Sequence, residues 1–119
     1  MSDASPSASG ADERETATTE LARCREEIER IDNEIVSLLS RRLALGKRTG
    51  ELKRVAGLPI LDPTREAAVI RRVTGVARDA ELPTEPIREI FWQIVGMSRR
   101  VQEQRRNRVR PRRRWSSGR

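Results

Sequence analysis

The sequence predicts an all-α protein: three helices, long, short and medium in chain order, with disordered N- and C-terminal tails. Apolar residues recur at steps of three and four over three segments, and no segment alternates with a period of two. Helix breakers fall between those segments, at Gly57-Leu58-Pro59 and at Leu82-Pro83. Aromatics make up only 3% of the 119 residues and charged residues 36%, which rules out a large aromatic-filled core. With 35% hydrophobic residues, part of the chain stays unfolded or a partner completes its core.

Residues 1–18 are rich in Ser, Ala, Thr and acids without apolar periodicity, and read as disordered. Order is expected from Thr19 or Glu20. Leu21, Cys24, Ile28, Ile31, Ile35, Leu38, Leu45 and Leu52 then follow a heptad seam, with Arg42 and Thr49 standing in its two gaps. This predicts one helix over about residues 20–55, some 50 Å long at 1.5 Å per residue. A domain of this size is only about 30 Å across. The helix must overhang its own domain, and a second copy of the chain is expected to cover it.

Gly57-Leu58-Pro59 ends that helix, and Asp62-Pro63 opens the next with Asp as N-cap and Pro at the first helical position. Val69, Ile70, Val73, Val76 and Ala77 give the second helix, about 63–78, its inward stripe. Thr84 is the N-cap candidate of the third, about 85–104, with Ile87, Ile90, Phe91, Ile94, Val95, Ser98, Val101 and Gln102 on one face. The resulting organisation is a tail over 1–18, a helical domain over 19–104 and an Arg-rich tail over 105–119.

The formal charge of +7 is a property of the last segment. Residues 105–119 hold eight Arg and no acid, so residues 1–104 carry −1. No His is present, which removes His bases, His triads and nearly every zinc site. No stretch of about 18 apolar residues suggests a membrane span. The N-terminus MSDASPSASGADERE has no apolar signal-peptide region. A lone Cys24 makes no internal disulfide. The expected compartment is cytoplasmic, and Cys24 is expected to serve only in packing.

Polar residues interrupt the apolar faces. Arg42 sits in the heptad seam, where its head either escapes to water or meets an anion. Lys53 is eleven residues on, about three turns plus 20°, and so shares its face. Arg25 points elsewhere on the same helix and could reach only a pocket in another subunit. Asp62, Arg65 and Glu66 crowd the first turn of the second helix, where a Glu also suits the helix dipole. Ser98 and Gln102 stand four apart on the third, facing either the pocket or water where that helix leaves the core. Together they make a cation-rich pocket with no activated nucleophile and no metal set. Such a pocket binds a small dianion and stabilises charge.

The strings REEIERIDNEIVSLLSRR, TGELK, LPILDPTREAAVI and SRRVQ, in this order, resemble the all-helical (AroQ-type) chorismate mutases over about residues 20–104. The resemblance implies an intertwined homodimer whose long first helices span both subunits. It implies an isomerase of the shikimate pathway that converts chorismate to prephenate by a one-step Claisen rearrangement, without cofactor. By resemblance, Arg42 and Arg65, with Arg25 of a second copy, are the carboxylate clamps. Lys53 and Gln102 are the ether-oxygen donors. Asp62, Glu66 and Ser98 read the ring hydroxyl and one carboxylate region. Thr49 departs from the family's usual apolar residue before the helix glycine.

Related activities on the same fold remain open: a 4-amino-4-deoxychorismate mutase, whose ring amine the acids Asp62 and Glu66 would welcome, or an isochorismate-pyruvate lyase. A different class, a nucleic-acid-binding module, would rest on the basic tail alone. That tail offers phosphate neutralisation and one aromatic, Trp115, but no base-reading element. Docking of the tail to another shikimate-pathway enzyme is a further expectation that composition leaves undecided.

Overall fold

The computed structural model describes the backbone of residues 4–117 and the side chains of residues 9–104. Three helices account for nearly all of it: α1 (Ala4–Ala56), α2 (Pro63–Asp79) and α3 (Thr84–Ser117). The fold is all-α in the expected order of long, short and medium. The chain divides into two units, Met1–Leu38 and Leu39–Arg119.

The first unit is the N-terminal stretch of α1. None of its described residues is buried: Leu21, Ile28, Ile31, Ile35 and Leu38 are each about half exposed, and Cys24 is exposed as well. The heptad seam therefore runs along an uncovered helix face. The second unit holds the last turns of α1 together with α2 and α3. Its core is formed by Val69, Ile70 and Val73 of α2 and Val95 of α3, with Phe91 packed against them. Thr74 lies beside this cluster, and its hydroxyl donates to the Ile70 carbonyl at 2.7 Å, which satisfies a buried polar group locally.

The two breaks follow the same physics. Gly57 adopts a left-handed φ of 72°, and Leu58 N–H donates back to the Lys53 carbonyl at 2.8 Å. That six-residue closure caps the orphan carbonyls of α1. Asp62 Oδ1 accepts from Arg65 N–H at 3.1 Å at the start of α2, and Pro63 follows at the first helical position. At the end of α2 Glu81 takes the left-handed conformation, φ 60°, while Leu82 N–H donates to the Ala77 carbonyl at 2.9 Å.

Three expectations are corrected. α1 begins at Ala4 rather than near residue 20, and α3 begins at Thr84 and continues to Ser117 rather than stopping near 104. Helix propagation needs only backbone hydrogen bonds and good helix formers, and the flanks are rich in Ala, Glu and Arg. The third concerns single positions. Val76 and Ile90, expected in the inward stripes, are 58% and 51% exposed, and Val76 opens onto a second cleft with Ile87 and Phe91 that α2 and α3 leave unfilled. The two tails expected to be disordered lie partly outside the described residues. What is described of them is helical backbone, with exposed side chains over residues 11–18. Among the described residues, no helix is long and apolar enough to cross a membrane.

Candidate active site

A cleft of about 350 Å³ opens in the second unit. Its first wall is the α1 face that carries Arg42, Gly46, Thr49 and Lys53, spaced so that each lies three or four residues beyond the last. The second is the first turns of α2, with Asp62, Arg65, Glu66, Val69 and Arg72. The third is Val95, Ser98, Arg99 and Gln102 of α3. Arg42, Lys53, Asp62, Arg65, Glu66, Ser98 and Gln102, taken from the sequence as one pocket, all line this one cleft. Arg25 belongs to the first unit and is exposed.

Two glycines let α3 come close to α1. A Cβ on Gly46 would lie 2.5 Å from Ser98 Oγ, and one on Gly50 would lie 2.9 Å from Gln102 Cγ. The space a side chain would fill at each position is taken by a polar residue of the cleft. The Gly-x-x-x-Gly spacing thus sets where Ser98 and Gln102 sit. Sequence reading overlooked this pair.

Lys53 is half-buried, and its Nζ donates to the Ile60 carbonyl at 2.8 Å. One of its three protons is used on the loop. The remaining donors are held at the cleft by a stem that is fixed at both ends. Gln102 is 7% exposed, and its Oε1 is buried without a protein hydrogen-bond partner. A buried amide oxygen left unmatched costs about 1–3 kcal/mol, so this acceptor calls for a partner from the cleft.

The electrostatics are one-sided. Arg42, Lys53, Arg65, Arg72 and Arg99 line the cleft against the two carboxylates Asp62 and Glu66. Glu66 is bound by Arg99. Among the described residues, Arg42, Arg65 and Arg72 have no carboxylate within ion-pair distance. The Arg42 guanidinium is held below its ordinary pKa, first by burial and then by the neighbouring cations Arg72 and Arg65. Arg99 is shifted the other way, by its hydrogen bonds to Glu66 and by the charge of that carboxylate.

Arg72 and Arg99 were not singled out in the sequence, yet the signal was there. Arg65, Val69 and Arg72 follow helical spacing, as do Val95, Ser98, Arg99 and Gln102. A charged residue in phase with a buried stripe was the mark to look for.

The family described as chorismate mutase type II matches residues 24–103. A chorismate mutase from Methanocaldococcus jannaschii is 31% identical over 84 residues, which cover 71% of this chain and 85% of that protein. A bifunctional chorismate mutase/prephenate dehydratase from Aquifex aeolicus is 38% identical over 80 residues, 65% of this chain. The match spans only 22% of that longer relative. Among solved structures, a conserved hypothetical protein from Pyrococcus furiosus superposes with a TM-score of 0.57 at 40% identity, over 71% of this chain and 96% of that one.

Proposed function

The chain belongs to the chorismate mutase type II family, and from that premise we propose that its cleft converts chorismate to prephenate. The observation that carries this reading is the surplus of unpaired cations. Arg42, Arg65 and Arg72 share a cleft in which burial and mutual repulsion already disfavour the Arg42 charge. A dianionic guest relieves both penalties.

The reaction is an intramolecular exchange of bonds. The ether carbon–oxygen bond breaks while a carbon–carbon bond forms between the enolpyruvyl side chain and the ring, and no atom enters or leaves. No nucleophile is needed. Two tasks remain for the protein. It holds the two carboxylates so that the reacting carbons approach, a matter of orientation. It also stabilises the negative charge that grows on the ether oxygen. Arg42 and Arg65 grip the carboxylates. Lys53 and the Gln102 amide supply the donors to the ether oxygen. Asp62, Glu66 and Ser98 receive the ring hydroxyl and one carboxylate region.

The uncovered seam of α1 supports an intertwined homodimer. Apolar residues at heptad spacing and about half exposed, from Leu21 to Leu38, are what a second α1 would bury. In that assembly Arg25 of the partner subunit completes the carboxylate clamp.

Turnover of chorismate, isochorismate and 4-amino-4-deoxychorismate by the purified full chain tests the reading. Chorismate should disappear with stoichiometric prephenate, and a chelator should leave the rate unchanged. Pyruvate release from isochorismate, with chorismate untouched, would reassign the cleft as a lyase.

A further inference from the structure

Arg99, one member of an ion pair in the cleft wall, has no role in the assignments above. Arg99 follows Ser98 on α3 and grips the Glu66 carboxylate with two parallel hydrogen bonds, Nε to Oε2 at 3.0 Å and Nη2 to Oε1 at 2.9 Å. The side chains are 33% and 17% exposed. Such a fork is the strong form of a carboxylate contact, and it fixes the plane of the carboxylate as well as its position.

The pairing changes what Glu66 offers a ligand. Each carboxylate oxygen has about two lone pairs, and Arg99 takes one on each. Glu66 can still accept a hydrogen bond, but the pair brings no net charge. The surroundings carry more positive than negative charge. Arg42, Lys53, Arg65 and Arg72 are cations, and Asp62 spends Oδ1 on the cap of α2. A hydroxyl placed at Glu66 finds a well-aimed acceptor. An ammonium placed there finds the same acceptor with a guanidinium behind it and cations around it.

We infer that Arg99 is a positioning residue that sets substrate choice: by orienting and neutralising Glu66 it admits a ring hydroxyl and disfavours a ring ammonium. This rests on the reading of the cleft as a chorismate site with Glu66 facing the ring substituent. It also bears on the amine-bearing substrate that the sequence left open. Two acids at this end of the cleft welcome an amine only while both carry free charge, and Arg99 removes that condition for Glu66.

The experiment compares kcat/KM for chorismate with kcat/KM for 4-amino-4-deoxychorismate in the parent and in Arg99→Gln, Arg99→Lys and Glu66→Gln variants. The parent should favour chorismate. Arg99→Gln should move the ratio toward the amine by about tenfold or more, the effect of removing one nearby charge from a half-buried site. Arg99→Lys keeps the charge and loses the fork, so it should retain most of the ratio while losing kcat. Glu66→Gln leaves Arg99 uncompensated and should move the ratio further toward chorismate. A loss of turnover by the same factor on both substrates in Arg99→Gln would overturn the inference, since a merely structural role predicts that. If Arg99→Gln does not fold, Glu66→Gln decides: a ratio unchanged or moved toward the amine rejects the proposal. A folded parent that turns over neither substrate would overturn the proposed function and this inference with it.

Discussion

At the scale of single residues the proposed function rests most on Lys53 and Gln102, which the structure holds differently. Lys53 is a mobile cation made rigid by its bond to the Ile60 carbonyl. Gln102 is a neutral amide in a buried place, and its N–H group, not its oxygen, is the donor it can offer. A donor at the ether oxygen helps the transition state more than the substrate, because charge grows there only as the bond breaks. Lys53→Ala should lower kcat by at least about 10²–10³. Gln102→Glu is the sharper variant. An ionised Glu faces the growing negative charge as a like charge and donates nothing, whereas a protonated Glu donates again. The variant should be poor at neutral pH and recover as pH falls through the pKa of the new carboxyl, as kcat profiles from about pH 4.5 to 8 would reveal. The parent has no such carboxyl and should show no such recovery. A variant that keeps the parent's profile would remove Gln102 from the ether oxygen. At this scale the sequence was legible wherever a polar residue broke an apolar stripe, as at Arg42 and Gln102. Arg72 and Arg99 obey the same spacing but sit beside other arginines, Arg71 and Arg100, and an Arg-Arg pair looks like ordinary surface until one member is seen to face inward.

Helix identity was readable in the elements, and helix length was not. Breaks at Gly57 and at Asp62-Pro63 are written in residues with few conformational alternatives, and the structure uses them as caps. The outer ends of α1 and α3 carry no such signal, so helix continues past the last apolar residue to Ala4 and Ser117. The approach of α3 to α1 was hidden for another reason: Gly46 and Gly50 act through the absence of a side chain. Gly50 is the tighter place, because a Cβ there would meet Gln102 Cγ at 2.9 Å, Cβ at 3.1 Å and Cα at 3.6 Å. At Gly46 the contact is the Ser98 hydroxyl, which can rotate away. Gly50→Ala should therefore destabilise the protein by about 1–3 kcal/mol, as overpacking does, and displace Gln102. Thermal unfolding should give Gly50→Ala a lower midpoint than Gly46→Ala. A Gly50→Ala protein as stable and as active as the parent would show that α3 has room to move.

At the scale of the whole molecule, one copy of the chain leaves its longest apolar seam uncovered. Its buried aliphatic residues cluster around Val69, Ile70, Val73 and Val95, while the longest apolar seam, on α1, stays about half exposed. The seam was legible in the sequence, and the helix that carries it, expected to be about 50 Å long, exceeds a domain about 30 Å across. That a second copy covers the seam was an expectation from the length of the helix, and the family resemblance implies the same. On the proposed function the cation cleft is finished by a second copy, with the partner's Arg25 joining Arg42 and Arg65 on one dianion. Co-expression of an Arg25→Ala chain with an Arg65→Ala chain tests it most directly. Each variant alone should form a nearly inactive dimer. In a mixed dimer one cleft has both arginines and the other has neither. Random pairing makes about half the dimers mixed, so the mixture should recover about a quarter of the parent's turnover of chorismate. Folded, mixed dimers that stay as inactive as either variant would contradict a shared site.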